Sequence, residues 1–229
     1  MEKADLVRTR EVLKKQTWLH GHSVDLVEPL LAHGRLVSFE AGQWTHAEGD
    51  EETGILVVIR GLVYVLCKAP GDREVLIGPT APGGAIGQTT RFGGGPRLVT
   101  VQCMNDSLIL LAPDRVLTQI AMERPQIWQA VAALLYLQVR DLLQLAAELI
   151  ALPPRQRLAA RITRLAQAEE QGGKFVLTLS QEALAEMVGL TRKTVNGYLA
   201  DFEREGLIRR TYGSAILLDP QGLRRVAES

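Results

Sequence analysis

The stretch from Ser180 to Glu205, SQEALAEMVGLTRKTVNGYLADFERE, constrains this chain more than any other, because several independent requirements of two short helices crossing over a tight turn coincide in it. Ser180 precedes an acidic, amphipathic run in which Glu182 and Glu186 can face water while Leu184 and Val188, four apart, share the opposite face. Ala185 is small where a second helix must pass close, Gly189 can take the left-handed conformation that ends a helix, and Leu190 plugs the turn. Thr191 can then cap a second helix, in which Val195, Tyr198, Leu199 and Phe202 recur at helical spacing and point inward. That leaves Arg192, Lys193, Thr194, Asn196 and Gly197 on the exposed first turns. A helix entering the major groove of DNA reads bases through its N-terminal residues, and Arg, Lys, Asn and Thr can hydrogen-bond base edges or phosphates there. An ordinary helical hairpin with a solvated face would show the same periodicity, so the flanking sequence decides.

After the second helix, Glu205-Gly206 stops the chain and Leu207 to Thr211 reads as a short strand. Tyr212-Gly213-Ser214 reads as a turn and Ala215 to Leu218 as a second strand, so a hairpin lies beside the helix. The whole is a winged helix-turn-helix, with Ser180, Gln181, Thr191 and the exposed set facing the groove and Arg209 and Arg210 reaching phosphate from the wing. Asp219-Pro220 caps a last short helix.

The formal net charge of zero looks wrong for such a module until the chain is divided at Ala151. From there onward 12 basic residues face 9 acidic ones, net +3, against 14 and 17, net −3, before it. The N-terminus MEKADLVRTREVLKK lacks the apolar run of a signal peptide, which points to the cytoplasm. Cys67 and Cys103 each sit in an apolar run and read as buried thiols; two thiols do not supply an iron-sulfur cluster, and with His20, His22, His33 and His46 they show no zinc-ligand spacing.

Residues 5 to 33 read as short helices, and from Arg35 the period changes. Leu36 to Phe39, Ile55 to Ile59, Leu62 to Leu66, Val75 to Ile77, Leu98 to Cys103 and Leu108 to Leu111 are brief apolar runs separated by glycine turns, the pattern of an all-β roll or barrel. Pro113-Asp114 opens a small helix, Arg124-Pro125 breaks it, and a long helix follows to about Ile150. In it Trp128, Val131, Leu135, Gln138, Leu142, Leu145 and Leu149 alternate in steps of 3 and 4, the repeat of a two-stranded coiled coil, although the same helix must also pack on the roll. Gln138, Arg140, Asp141, Gln144 and Glu148 argue against reading this helix as a membrane span. Leu152-Pro153-Pro154 ends it and reads as a hinge. The expected domains are therefore 1–112, an effector-sensing roll with N-terminal helices; 113–152, the dimerisation helix and hinge; and 153–229, the winged helix-turn-helix.

With roll, long helix and winged helix in this order, the chain resembles the bacterial transcription regulators typified by the cyclic-AMP receptor protein and the fumarate and nitrate reduction regulator. The resemblance covers nearly the whole chain and is most specific from Leu179 to Val195, with Arg157-Leu158-Ala159 and Gly206-Leu207-Ile208. It implies an α+β fold: a cyclic-nucleotide-binding-like β-roll, a long dimerisation helix and a C-terminal winged helix-turn-helix. It also implies a homodimer on a near-palindromic site in double-stranded DNA, with RNA polymerase as a partner.

The family's recognition helix commonly runs Ser-Arg-Glu-Thr-Val-x-Arg, where this chain has Thr191-Arg192-Lys193-Thr194-Val195-Asn196-Gly197. Arg192 and Thr194 carry over. Lys193 stands for a glutamate that accepts from cytosine, and a lysine cannot accept, so the operator should differ from the family's best-known half-site.

The resemblance places an effector pocket at Gly84, Ile86, Gly87, Gln88, Arg97 and Leu98, with Leu142 from the helix. Cyclic-nucleotide binders carry Gly-Glu and, about ten residues on, Arg-Ser or Arg-Thr; here stand Gly87-Gln88 and Arg97-Leu98. Gln88 lacks the charge for the ribose and Leu98 the hydroxyl, which disfavours a cyclic nucleotide and leaves haem, another apolar or anionic metabolite, or no effector. An alternative to a DNA-binding regulator is a ligand-binding regulatory subunit whose helix-turn-helix contacts protein. The sequence offers no Ser-His-Asp grouping, phosphate loop or paired-carboxylate site, so an enzyme is not expected.

Overall fold

In a computed structural model of the chain, which describes residues 3–88, 94–168, 170–171, 174–177, 180–211 and 214–229, most of the apolar runs before residue 113 are strands of two four-stranded antiparallel sheets. One sheet sets β1 (Arg35–Phe39), β8 (Ser107–Pro113), β3 (Gly54–Arg60) and β6 (Ala85–Gln88) side by side in that order; the other sets β2 (Trp44–His46), β7 (Thr100–Cys103), β4 (Val63–Ala69) and β5 (Arg73–Thr80). Strand β3 is buried from Gly54 to Ile59 because both of its faces are covered. Ile55, Val57 and Ile59 join a core with the helices, whereas Leu56 and Val58 point into the roll with Val63, Ile86, Val101, Cys103 and Ile109. A strand covered on both sides reads as a continuous apolar run, as this one does.

Around the first face pack α1 (Lys3–Lys14), a 3₁₀ turn at Thr17–Leu19, α2 (Val27–His33), α3 (Asp114–Glu123) and the first turns of α4 (Ile127–Ala151). Strands β2 and β6 were not legible in the sequence, since the first has only three residues and the second lies in a glycine-rich stretch expected as a turn. The run expected from Leu98 pairs only from Thr100, and Leu98 is exposed. Cys103 is buried as expected. Cys67 is only half-buried, because β4 leaves the core after its first residue, Val63.

The chain divides into two compact units, residues 1–140 and 141–229. The second holds the end of α4, then α5 (Pro154–Ala168), β9 (Glu170–Gln171), β10 (Lys174–Leu177), α6 (Gln181–Met187), α7 (Arg192–Arg204), β11 (Ile208–Thr211), β12 (Ser214–Leu217) and α8 (Pro220–Glu228). Its sheet runs β11-β12-β10-β9, so the wing hairpin is extended by two strands that precede α6. The turn expected at Tyr212-Gly213 lies outside the described residues. Leu158, Ile162, Leu184, Val188, Val195, Leu199, Phe202 and Leu223 are buried. Glu148, itself buried, accepts from Arg164 of α5 and from Gln144, and Arg157 donates to the Leu149 carbonyl at 3.4 Å, which ties the end of α4 to α5 across Leu152-Pro153.

Candidate nucleic-acid interface and effector pocket

The two helix caps form as the sequence requires. The Ser180 hydroxyl accepts from the Ala183 amide at 3.0 Å, and the Thr191 hydroxyl from the Thr194 amide at 3.1 Å, each satisfying an otherwise orphaned N–H of a first turn. Between them Gly189 has φ +62°, and the Leu190 amide donates to the Ala185 carbonyl at 2.9 Å, so the reversal is a left-handed helix stop. Ala185, expected where the two helices cross, is 3% exposed. Val195, Leu199 and Phe202 are buried and Tyr198 is half-buried, while Arg192, Lys193, Asn196 and Gly197 are exposed and Thr194 is half-exposed. The N-terminal turns of α7 thus offer a polar, basic face with no apolar side chain in it.

One network was not legible in the sequence. Asn196 Oδ1 accepts from Gln181 Nε2 at 3.3 Å and from Arg210 Nη1 at 3.0 Å. Arg210 in turn donates from its backbone N–H and its Nε to the two oxygens of Glu203, at 2.8 and 2.7 Å. These hydrogen bonds, from the backbone first and then the side chain, hold the Glu203 carboxyl below its ordinary range. Arg210, expected to reach phosphate, also joins the wing to α7 through these bonds, and Arg209 is exposed.

Of the residues expected to line an effector pocket, Ile86 faces the roll interior, and the Gly84 carbonyl accepts from the Val58 amide at 3.0 Å. Arg97 is 9% exposed and spends its guanidinium on backbone, donating from Nε to the Glu52 carbonyl at 3.0 Å and from Nη1 to the Gly54 carbonyl at 2.9 Å. Burial lowers its pKa against the opposing pull of Asp114, Asp50 and Glu52. His46 of β2 is pushed down to about 4, first by burial and then by the Arg97 charge. The Gln88 side chain lies outside the described residues, and Leu142 belongs to the second unit. Among the described residues no group of three or more His, Cys, Asp or Glu side chains is placed to hold a metal.

Gly87 has a structural reason to be glycine. A Cβ there would stand 2.9 Å from Leu134 Cδ2 and 3.2 Å from Ile55 Cγ1, so its absence lets α4 lie against β6. Gln138 then makes a matched pair with the Gly87 backbone, accepting from its N–H and donating to its C=O, both at 3.2 Å. This seals the free edge of β6, which is the outer strand of its sheet.

That pairing bears on the seam expected along α4. Val131 is 2% exposed inside the roll-facing core, Trp128 and Leu135 pack against the same core, and Gln138 is taken by β6. The exposed apolar side chains lie one residue further on, at Tyr136 (68%), Val139 (53%), Leu143 (66%) and Ile150 (86%), with Leu142 and Leu149 beside them and Leu145 half-buried. Together with the exposed Ala132 and Ala146 they step by 4, 3, 4, 3 and 4 along the helix.

A β-roll, a long helix and a winged helix-turn-helix in this order are the architecture of a class of transcription regulators. Comparison with known proteins agrees. A cyclic nucleotide-binding domain model matches residues 36–124, and a Crp-like helix-turn-helix domain model matches residues 156–226. A CRP-like cAMP-activated global transcriptional regulator of Mycobacterium tuberculosis is 28% identical over 221 residues, spanning 95% of this chain and 99% of that protein. The crystal structure of a CRP/FNR-family transcriptional regulator from Thermus thermophilus superposes with a TM-score of 0.68 at 27% identity, over 85% of this chain and 99% of that one. FixK2 of Bradyrhizobium japonicum shares the fold, with a TM-score of 0.76 at 17% identity over 84% and 96% of the two chains. The chain belongs to the CRP/FNR family; it is a transcription regulator and not an enzyme.

Proposed function

We propose that this protein is a cytoplasmic homodimer that binds a near-palindromic DNA site through α7 and is controlled from its β-roll by an effector other than cyclic AMP. The observation that carries the DNA reading is the capped α7, whose inner face is buried at Val195, Leu199 and Phe202 while Arg192, Lys193, Thr194 and Asn196 stand outward on its first turns. Lys193 and Arg209 meet phosphate or guanine; Gly197 leaves the place of the family's later arginine empty. A second copy covers the exposed stripe of Tyr136, Val139, Leu143 and Ile150. Alpha-helix α4 has the length and composition to cross a membrane, with a mean hydropathy of 1.3, yet it carries Arg140, Asp141 and Glu148. Family membership gives its exposed apolar face another use, that of a dimer spine.

Against cyclic AMP stands Arg97, which is 9% exposed and already donates from Nε and Nη1 to two backbone carbonyls, so only its remaining N–H groups are left for a phosphate. The activation by cAMP in the name of the mycobacterial relative is therefore not carried to this chain. Binding to duplex DNA should weaken steeply as salt rises, and Arg192→Ala should cost about 1 to 3 kcal/mol at the selected site but little on random duplex. An affinity indifferent to salt would favour the rival in which the helix-turn-helix contacts protein. Isothermal titration of the purified protein with cyclic AMP should give no heat of binding, whereas saturable binding would overturn the effector reading.

A further inference from the structure

We propose that Arg210 and Gln181 act together as a positioning clamp that turns Asn196 into a pure hydrogen-bond donor, so that Asn196 selects guanine over adenine in the major groove. The inference rests on the DNA reading given above. An arginine has no acceptor, so the Asn196 atom 3.0 Å from Arg210 Nη1 must be the amide oxygen and not the nitrogen. Gln181 Nε2 supplies a second donor at 3.3 Å, and an amide oxygen has two lone pairs, which these two bonds fill. Arg210 cannot swing away freely, because Glu203 holds both its Nε and its backbone N–H. The exposed side of Asn196 is left with its NH2 group alone.

Asparagine ordinarily recognises adenine by accepting from N6 while donating to N7, and it needs a free oxygen to do so. Here that oxygen is occupied, so an adenine N6–H facing Asn196 would lose its hydration without gaining an acceptor. Guanine carries acceptors at both N7 and O6 and suits a donor-only group. Gly197, whose missing Cβ would meet nothing within 4 Å, leaves room for the base edge next to Asn196. The arrangement also changes the role of Arg210: it acts through Asn196 and does not itself touch the nucleic acid.

The test is selection of sites from random duplex DNA by the full-length protein, by Asn196→Ala, and by the double variant Gln181→Ala with Arg210→Met, with salt dependence measured on each. Expected are an enriched site with guanine favoured at one symmetric pair of positions, loss of preference at that pair alone in Asn196→Ala, and a shift toward adenine in the double variant. The guanine-to-adenine ratio there should change about tenfold. The log-log salt slope of the double variant should stay as in the unaltered protein. Adenine at the Asn196-dependent position of the unaltered protein, or no position that depends on Asn196, would overturn the inference even if Arg210→Met failed to fold. A uniform loss of affinity with the slope reduced by about 1 would instead make Arg210 a phosphate contact. If the unaltered protein enriches no sequence, the DNA reading falls and this inference with it; enrichment with the wrong base removes the inference alone.

Discussion

Truncating Leu143 to alanine should weaken dimerisation by a calculable amount. Leu143 is 66% exposed on α4, in the middle of the stripe that includes Val139 and Ile150. Fully burying a leucine side chain contributes about 1.5 to 3 kcal/mol, so covering the exposed two-thirds contributes roughly 1 to 2 kcal/mol per copy. In a two-fold interface each residue counts twice, which makes about 2 to 4 kcal/mol per dimer and raises the dimer Kd roughly 30- to 1000-fold. Alanine keeps the helix, so the change reports on the interface and not on folding. Sedimentation equilibrium over a range of concentrations measures the shift. Met122, 81% exposed but on α3, is the control, and Met122→Ala should leave association unchanged. If Leu143→Ala associates as the unaltered protein does while Val131→Ala merely unfolds the roll, the stripe is not the seam.

Three other outcomes follow from the same structure. His46 is held neutral in the fold, at about 4, but protonates near 6.5 once unfolded; the unfolded state therefore takes up protons first, and stability should fall by about 2 kcal/mol between pH 7.5 and 5. Denaturant unfolding at the two pH values measures it, and His46→Phe should remove most of that difference. Gly87→Ala forces a Cβ within 2.9 Å of Leu134 and 3.2 Å of Ile55, both buried, and should cost about 1 to 3 kcal/mol in thermal or chemical unfolding. Gly197→Ala meets nothing within 4 Å in the middle of α7 and should stabilise the winged-helix unit by about 0.5 to 1 kcal/mol, read as a raised unfolding midpoint.

The helix-turn-helix was legible because its signals are local: Ser180 and Thr191 cap within three residues, Gly189 reverses within one, and the inward set of α7 repeats at helical spacing. The seam of α4 is less local. An apolar helix with leucines on most sides admits two seven-residue repeats one position apart, and only its partner can choose between them. In this molecule the roll claims Val131 and Leu134, and Gly87 claims Gln138 through a pair of bonds separated by 51 positions in sequence. Arg210 was read as a phosphate contact from the wing, and its bond to Glu203, seven residues earlier, carries no sign in the sequence. Strand β6 was hidden among the glycines that precede it, and its own Gly87 serves the close approach of α4 rather than a reversal. What escaped the sequence was mostly a partner side chain or backbone that no local pattern announces.

In the proposed function a paired α4 sets the separation of two copies of α7. Footprinting of the selected operator at single-nucleotide resolution, with the stoichiometry fixed by sedimentation of the complex, tests it most directly. Two inverted half-sites whose centres lie one helical turn, about 34 Å, apart, occupied by one dimer and lost together in Leu143→Ala, are expected. A single protected half-site bound by one copy, with affinity unchanged by Leu143→Ala, would contradict it.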